Sequence, residues 1–209
     1  LYIHLPWCEV QCPYCDFSIT TNPVNQQDHE LSQAIAKDLE DSSELINGRK
    51  FSSVYFGGGT PSLTSIDAVK NILDAVKKYP LDPEVEITFE MNPRDVTKEK
   101  VAGLAALGIN RFSLGLQSYD DQELAALGRN HDKATGIKAV QILKEMNLTV
   151  DLMYGIELQT EASFKKSLEK FIDSKANHLS LYQLTIEPNT IFYKKELKLP
   201  DEEIIEKIE

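Results

Sequence analysis

Short runs rich in β-branched and aromatic residues alternate along the chain with longer segments in which apolar residues recur every three to four positions. The short runs predict strands at Leu1–Leu5, Ser53–Phe56, Val85–Phe89, Arg111–Leu116, Val150–Met153 and Leu179–Leu184. The periodic segments predict helices over His29–Leu45, Ser65–Tyr79, Thr97–Leu107, Asp120–Leu127, Lys133–Met146 and Glu161–Lys175. In the third of these, Val101, Leu104 and Leu107 share one face, and Gly108 follows as a stop because glycine accepts the left-handed backbone of a helix end. Such alternation is the pattern of parallel strands joined by right-handed helical crossovers. The fold class is therefore α/β, built as a doubly wound open sheet or as an incomplete barrel of six βα units. In either arrangement the loops after the strands carry the chemistry, so polar motifs that directly follow strands should converge. A further helix begins after Pro200 in "PDEEIIEKIE", and with Leu1 as its first residue the chain is expected to be part of a longer one.

Composition narrows the function classes. At 209 residues with 42% hydrophobic and 26% charged residues, the chain can bury one substantial core. The formal charge of −11 speaks against a nucleic-acid partner, because phosphate neutralisation needs a concentrated excess of Lys and Arg. The longest apolar runs are too short to span a bilayer and no basic cluster is present to hold an anionic surface, so no integral membrane segment is expected.

All of the cysteines, Cys8, Cys12 and Cys15, lie in "CEVQCPYC" directly after the first strand. An odd count rules out a closed disulfide set. Without a secretory signal, the cluster points to a reducing compartment, and a cytoplasmic location is expected. Thiolates so placed are ligands for zinc or for an iron–sulfur cluster. A zinc site would recruit His4 as a fourth ligand, although structural zinc sites usually use two separated ligand pairs. A cubane cluster with three protein ligands would leave one iron open for chemistry. Trp7 is expected to give the cluster loop apolar cover.

After the second strand comes Gly57-Gly58-Gly59-Thr60-Pro61, where absent side chains let backbone approach a ligand closely. The string matches neither the phosphate loop nor the dinucleotide fingerprint. Single polar residues recur at the ends of later strands: Glu90 in "TFEMNP", Gln117 in "SLGLQS" and Asp151 in "TVDLMYG", with Arg129 in "LGRNHD" as a nearby cation. Any one of these is commonly a structural polar group, but together they would face one rim. His29, His131 and His178 are scattered and read as surface or packing residues.

These residues resemble a known family. "CEVQCPYC" after an opening strand, with "FGGGTPS" after the next, is similar to the signature of the radical S-adenosylmethionine (SAM) superfamily. "LYIHLPWC", "CPYCDF", "NRFSLGLQSYDDQELAALGRNHD", "DLMYGI" and "LSLYQLTIEPNTIFY" resemble its branch related to oxygen-independent coproporphyrinogen III oxidase, and within it the HemW-type heme chaperones. The resemblance implies a radical SAM core at 1–196, folded as a partial (β/α)6 TIM-like barrel, with 197–209 opening a linker toward a C-terminal region. It implies that Cys8, Cys12 and Cys15 hold a [4Fe-4S] cluster whose remaining iron binds SAM. Tyr14 would lie beside the adenine, Gly58, Gly59 and Thr60 would meet the methionyl end, and Tyr2, Glu90, Gln117, Arg129 and Asp151 would line the rest of SAM. The oxidases carry a further cysteine two positions after the last ligand, where this chain has Phe17. The branch with Phe binds heme and passes it to an acceptor protein, so the resemblance implies that function. The alternative is coproporphyrinogen oxidation through a 5′-deoxyadenosyl radical. Either would draw electrons from a donor such as flavodoxin or ferredoxin. In "YGIELQT", Glu157-Leu158 stand where the branch usually has Pro-Gly.

Overall fold

The computed structural model describes residues 1–21 and 25–208, apart from the side chains of residues 25 and 26. Residues 22–24 and 209 of the segments expected above lie outside that description.

Six parallel strands form one sheet: β1 (Tyr2–Leu5), β2 (Phe51–Gly58), β3 (Leu81–Met91), β4 (Arg111–Gln117), β5 (Leu148–Tyr154) and β6 (His178–Gln183). They are neighbours in chain order, as successive right-handed crossovers require, and the sheet is open between β1 and β6. This is the α/β fold expected, an unclosed barrel of βα units. The crossovers are α1 (Asn25–Asp41), α2 (Ile66–Val76), α3 (Lys98–Ala106), the pair α4 (Asp121–Ala126) and α5 (Lys133–Leu143), and α6 (Glu161–Ser174). After Pro200, α7 runs over Glu202–Ile208. The helix expected to reach Leu45 instead ends at Asp41, with a separate turn at Ser43–Ile46.

The helix starts follow from side chains that accept the otherwise unpaired first amides. Ser65 accepts from Ala68 N at 3.2 Å, Thr97 from Lys100 N at 3.1 Å, Asp132 from Thr135 N at 2.8 Å, and Thr160 forms a capping box with Ser163. α3 stops as its sequence predicts: Gly108 has φ +105°, and Ile109 N–H returns to Leu104 O at 3.3 Å.

Parallel sheets covered on both faces usually have near-continuous apolar strands. Here the two faces differ. Val54, Phe56, Phe89, Phe112, Leu114, Leu116, Val150 and Leu152 are essentially fully buried and join the core beneath the helices with Val69, Ile72, Leu73 and Leu104. The alternate positions are polar, and they bond one another across the strands. Arg111 meets Glu86 at 2.9 Å and Thr149 at 2.8 Å, Tyr55 donates to Glu90 at 2.7 Å, and Ser113 donates to Asp151 at 3.0 Å. A polar inner face is not built for packing; it is available to a ligand.

One irregularity shapes that face. Between β4 and β5 the register jumps from Gly115–Asp151 to Gln117–Leu152, and Gln117 has φ +69°, uncommon for a residue with a side chain. The bulge frees two carbonyls. Arg129 Nη2 donates to Gly115 O at 2.8 Å, and His131 Nε2–H donates to Leu116 O at 3.1 Å.

Candidate metal and cofactor site

The residues after the strands enclose a cavity of about 360 Å³ at the carboxyl ends of the sheet. Cys8, Cys12, Cys15, Tyr14, Gly58, Gly59, Thr60, Glu90, Gln117, Arg129 and Asp151 all line it. The convergence expected from the sequence is thus a property of the fold. Tyr2 is the exception. It is 57% exposed on β1, its hydroxyl pairs with His4 Nδ1 at 3.0 Å, and it stacks on Tyr55 without reaching the cavity lining.

The cysteine loop is held at several points. Trp7–Cys8 pairs in parallel with Thr20–Thr21, Cys15 N–H donates to Cys12 O at 3.0 Å, and Cys8 Sγ shares a hydrogen bond with Thr60 Oγ1 at 3.4 Å. Arg129 Nη1 lies 3.6 Å from Cys12 Sγ and 3.4 Å from Tyr14 Oη, so the bulge carbonyl of Gly115 aims a cation at the loop. Glu9 accepts from Arg94 at 3.1 Å and from Asn130 at 3.0 Å. Trp7 is buried, though it lies outside the cavity lining.

The glycine string brings backbone onto backbone. A Cβ on Gly59 would lie 2.7 Å from Trp7 O and 2.8 Å from Pro6 O, while Gly59 N–H donates to Leu5 O at 2.9 Å and Thr60 N–H to Trp7 O at 2.6 Å. The loop after β2 is thereby fastened to the strand that delivers Cys8.

The two cavity carboxyls share a poorly solvated space. Burial pushes both Glu90 and Asp151 above the usual carboxylate range, and for Glu90 the Asp151 charge adds to that; the Tyr55 hydroxyl opposes it for Glu90, and the Ser180 and Ser113 hydroxyls oppose it for Asp151. Tyr182, from β6, donates to Gln117 Oε1 at 2.9 Å, which leaves the amide nitrogen of Gln117 to other partners. Tyr55, Ser113 and Tyr182 therefore orient cavity residues. Sequence reasoning missed them, because along their strands they are ordinary alternating positions and only register brings each beside its partner.

The donor set fits an iron–sulfur cluster. The three cysteines are free thiols. Burial pushes the Cys8 and Cys15 thiols up, and neighbouring thiols add to this, so thiolates there call for compensating positive charge. A cluster takes one thiolate at each of several irons, and the three cysteines of this one loop can supply them. His4, the fourth ligand of the zinc alternative, is engaged elsewhere: its Nε2 meets Ser18 O at 2.8 Å. Arg129 lines the cavity, and its Nε is buried without a hydrogen-bond partner among the described residues.

The model of the radical SAM superfamily matches residues 2–171. The chain belongs to the radical SAM superfamily. Membership implies a [4Fe-4S] cluster and SAM, and the thiols and cavity described above are where this radical SAM chain would hold them. The chain is 40% identical to the heme chaperone HemW of Haemophilus influenzae over 98% of its own length and 56% of that protein's. It is 36% identical to the Escherichia coli heme chaperone HemW over 98% of its own length and 55% of that protein's. It is also 36% identical to mouse radical S-adenosyl methionine domain-containing protein 1, mitochondrial, over 92% of its own length and 44% of that protein's. The chain thus spans about half the length of the curated relatives it matches. Among solved structures, the coproporphyrinogen III oxidase HemN of Escherichia coli, a radical SAM enzyme, shares its fold with a TM-score of 0.88 at 22% identity, over 99% of this chain and 49% of that one. Among the described residues no helix is long and apolar enough to cross a membrane.

Proposed function

We propose that the chain is the radical SAM core of a HemW-type heme chaperone, which binds a [4Fe-4S] cluster and SAM and handles heme for transfer to an acceptor protein in the cytoplasm. The observation that carries the first part is the meeting of three free thiols with Gly58–Thr60, Glu90, Gln117, Arg129 and Asp151 round one cavity. Heme handling is supported by the likeness to the HemW chaperones across nearly the whole chain.

When bound, the cluster supplies single electrons to the sulfonium of SAM, drawn from a flavodoxin-like or ferredoxin-like donor. The residues do the positioning. Cys8, Cys12 and Cys15 hold the cluster, Tyr14 and Arg129 bracket the loop that carries them, and Gly58 and Gly59, bare so that the loop after β2 can pack on residues 4–7, line the ligand space with backbone. Glu90 and Asp151 offer acceptors to the ammonium and hydroxyl groups of SAM, and Gln117 offers its amide nitrogen. Tyr2 is assigned a supporting place, through Tyr55 and its bond to Glu90. Residues 1–196 make up the core, and 197–209 lead toward a further region that would share in heme binding. Phe17, 60% exposed on the cavity lining, occupies the position at which the oxidases resembling this chain carry a further cysteine.

The test is anaerobic reconstitution followed by iron and sulfide analysis, then heme titration and a porphyrinogen assay on the complete protein. About four irons per chain, saturable heme binding and no conversion of coproporphyrinogen III are expected. Turnover of coproporphyrinogen III to protoporphyrinogen IX would replace the chaperone reading with the oxidase one. A single zinc per chain would end both.

A further inference from the structure

The string "IEPNTIFY", residues 186–193, folds back over the cysteine loop. It braces itself first. Thr190 N–H and Oγ1 both donate to Glu187 O, at 3.1 and 2.7 Å, and Tyr193 N–H donates to Thr190 Oγ1 at 3.2 Å. The braced turn presents Phe192, which is 4% exposed and packs with Leu127, Met153, Ile156 and Leu184. Phe192 N–H donates to Pro13 O at 3.0 Å, and its ring tilts against that of Tyr14 with centroids 6.3 Å apart. Gly128 meets the same proline closely: a Cβ there would lie 2.5 Å from Pro13 Cδ, and φ is +66°, so the position is fitted to a bare backbone. Pro13 and Tyr14 are the two residues between Cys12 and Cys15, and Cys15 N–H closes back on Cys12 O.

We infer that Phe192 is a positioning residue for the thiols of Cys12 and Cys15. The strap 186–193 holds the intervening Pro13–Tyr14 backbone against Gly128 and so fixes the spacing at which those thiols are offered to the cluster. This rests on the cluster reading above and extends it to a segment outside the matched superfamily region of 2–171. Coupling of this kind is reciprocal. If the strap favours the cluster-holding loop, a bound cluster must protect the strap by the same factor.

The experiment uses the complete protein, reconstituted anaerobically, with Phe192→Ala, Phe192→Leu and the control Phe164→Ala. Phe164, on α6, is equally buried at 3% exposed and contacts Tyr154. Two quantities are read: the rate at which iron–sulfide absorbance bleaches under a chelator, and hydrogen exchange at the Phe192 amide with and without cluster. If about a third of the usual penalty for truncating a buried Phe is felt at the loop, Phe192→Ala bleaches roughly tenfold faster than wild type. Phe192→Leu, which keeps most of the apolar volume, should fall between them, Phe164→Ala should match wild type, and cluster assembly should slow exchange at Phe192. A rate for Phe192→Ala or Phe192→Leu no faster than that of Phe164→Ala, or Phe192 exchange indifferent to the cluster, would overturn the inference and leave the cluster reading standing. A wild-type protein that takes up no cluster removes both.

Discussion

Gly57, Gly58 and Gly59 are indistinguishable in the sequence, yet their surroundings predict unequal responses to alanine. A Cβ on Gly59 would meet Trp7 O at 2.7 Å and the Pro6 carbonyl carbon and oxygen at 2.8 Å, all backbone atoms that no rotamer change can move. These contacts are about 0.6 Å inside ordinary van der Waals distance, so the loop after β2 must separate from residues 5–7. Separation strains or breaks the bonds Gly59 N–H to Leu5 O and Thr60 N–H to Trp7 O, each contributing roughly 1 kcal/mol. With overpacking of about 1–3 kcal/mol in addition to the two bonds, Gly59→Ala should cost about 3–5 kcal/mol. The same shift pulls Thr60 from Cys8, so iron uptake should fall as well. At Gly57 the nearest atoms are side-chain ring carbons, of Tyr55 at 2.9 Å and Tyr2 at 3.0 Å; the largely exposed Tyr2 ring can swing away, while Tyr55, bonded to Glu90, must tilt. Gly57→Ala should therefore cost about 1–2 kcal/mol. Gly58 combines φ +117° with the His4 ring at 2.7 Å, so its alanine variant should be at least as damaged as that of Gly59. Urea denaturation under anaerobic conditions gives the three differences from midpoints at a common slope. If Gly59→Ala and Gly57→Ala agreed within about 0.5 kcal/mol, the reasoning from backbone approach would be refuted.

Three further outcomes follow from other parts of the fold. The turn Ile156–Gln159 closes with Gln159 N–H on Ile156 O at 3.0 Å, and Leu158 at its third position has φ +71° while 65% exposed; Leu158→Gly should stabilise the protein by about 0.5–1 kcal/mol, read as a higher urea midpoint. Burial, helped by the Arg129 charge, pushes the His131 imidazole down to about 4 from an ordinary 6.5, so it is neutral in the fold while the unfolded chain takes up a proton; the stability tied to it is whole above pH ~6.5 and drains as pH falls toward 4, by at most about 3 kcal/mol, and urea midpoints of His131→Gln should lack that dependence. Tyr182→Phe removes the donor that fixes Gln117 and should weaken SAM binding by roughly three- to tenfold in equilibrium dialysis of the reconstituted protein, with the melting temperature little changed.

Local chemistry settled much of this protein before any tertiary contact existed. The alternation of strand and helix dictated a parallel sheet, Ser65, Thr97 and Thr160 fixed where helices begin, and Gly108 where one ends, because these preferences act over four or five residues. The cysteine triad and the polar residues after the strands were legible for the same reason: in parallel sheets all strand ends face one way, so position after a strand is already position in space. Leu158 is legible only in part. The substitution of a usual Pro-Gly can be seen in the sequence, but the positive φ it must carry cannot.

Register and long-range approach belong to the folded chain alone. That Tyr55 reaches Glu90, that Tyr182 reaches Gln117 across 65 residues, and that Gly115–Gln117 bulges to aim Arg129 at Cys12 depend on strand offsets that no local pattern encodes. Tyr2 shares the inner face with Tyr55 and Glu90, but register sets it level with Tyr55, one inner-face row before Glu90, and that offset along the strand cannot be read from the sequence. The strap that lays Phe192 on Pro13 joins segments nearly the whole chain apart. Short-range preferences are set by covalent neighbours and can be read in order, whereas these contacts exist only once the core has brought distant backbone within a few ångströms.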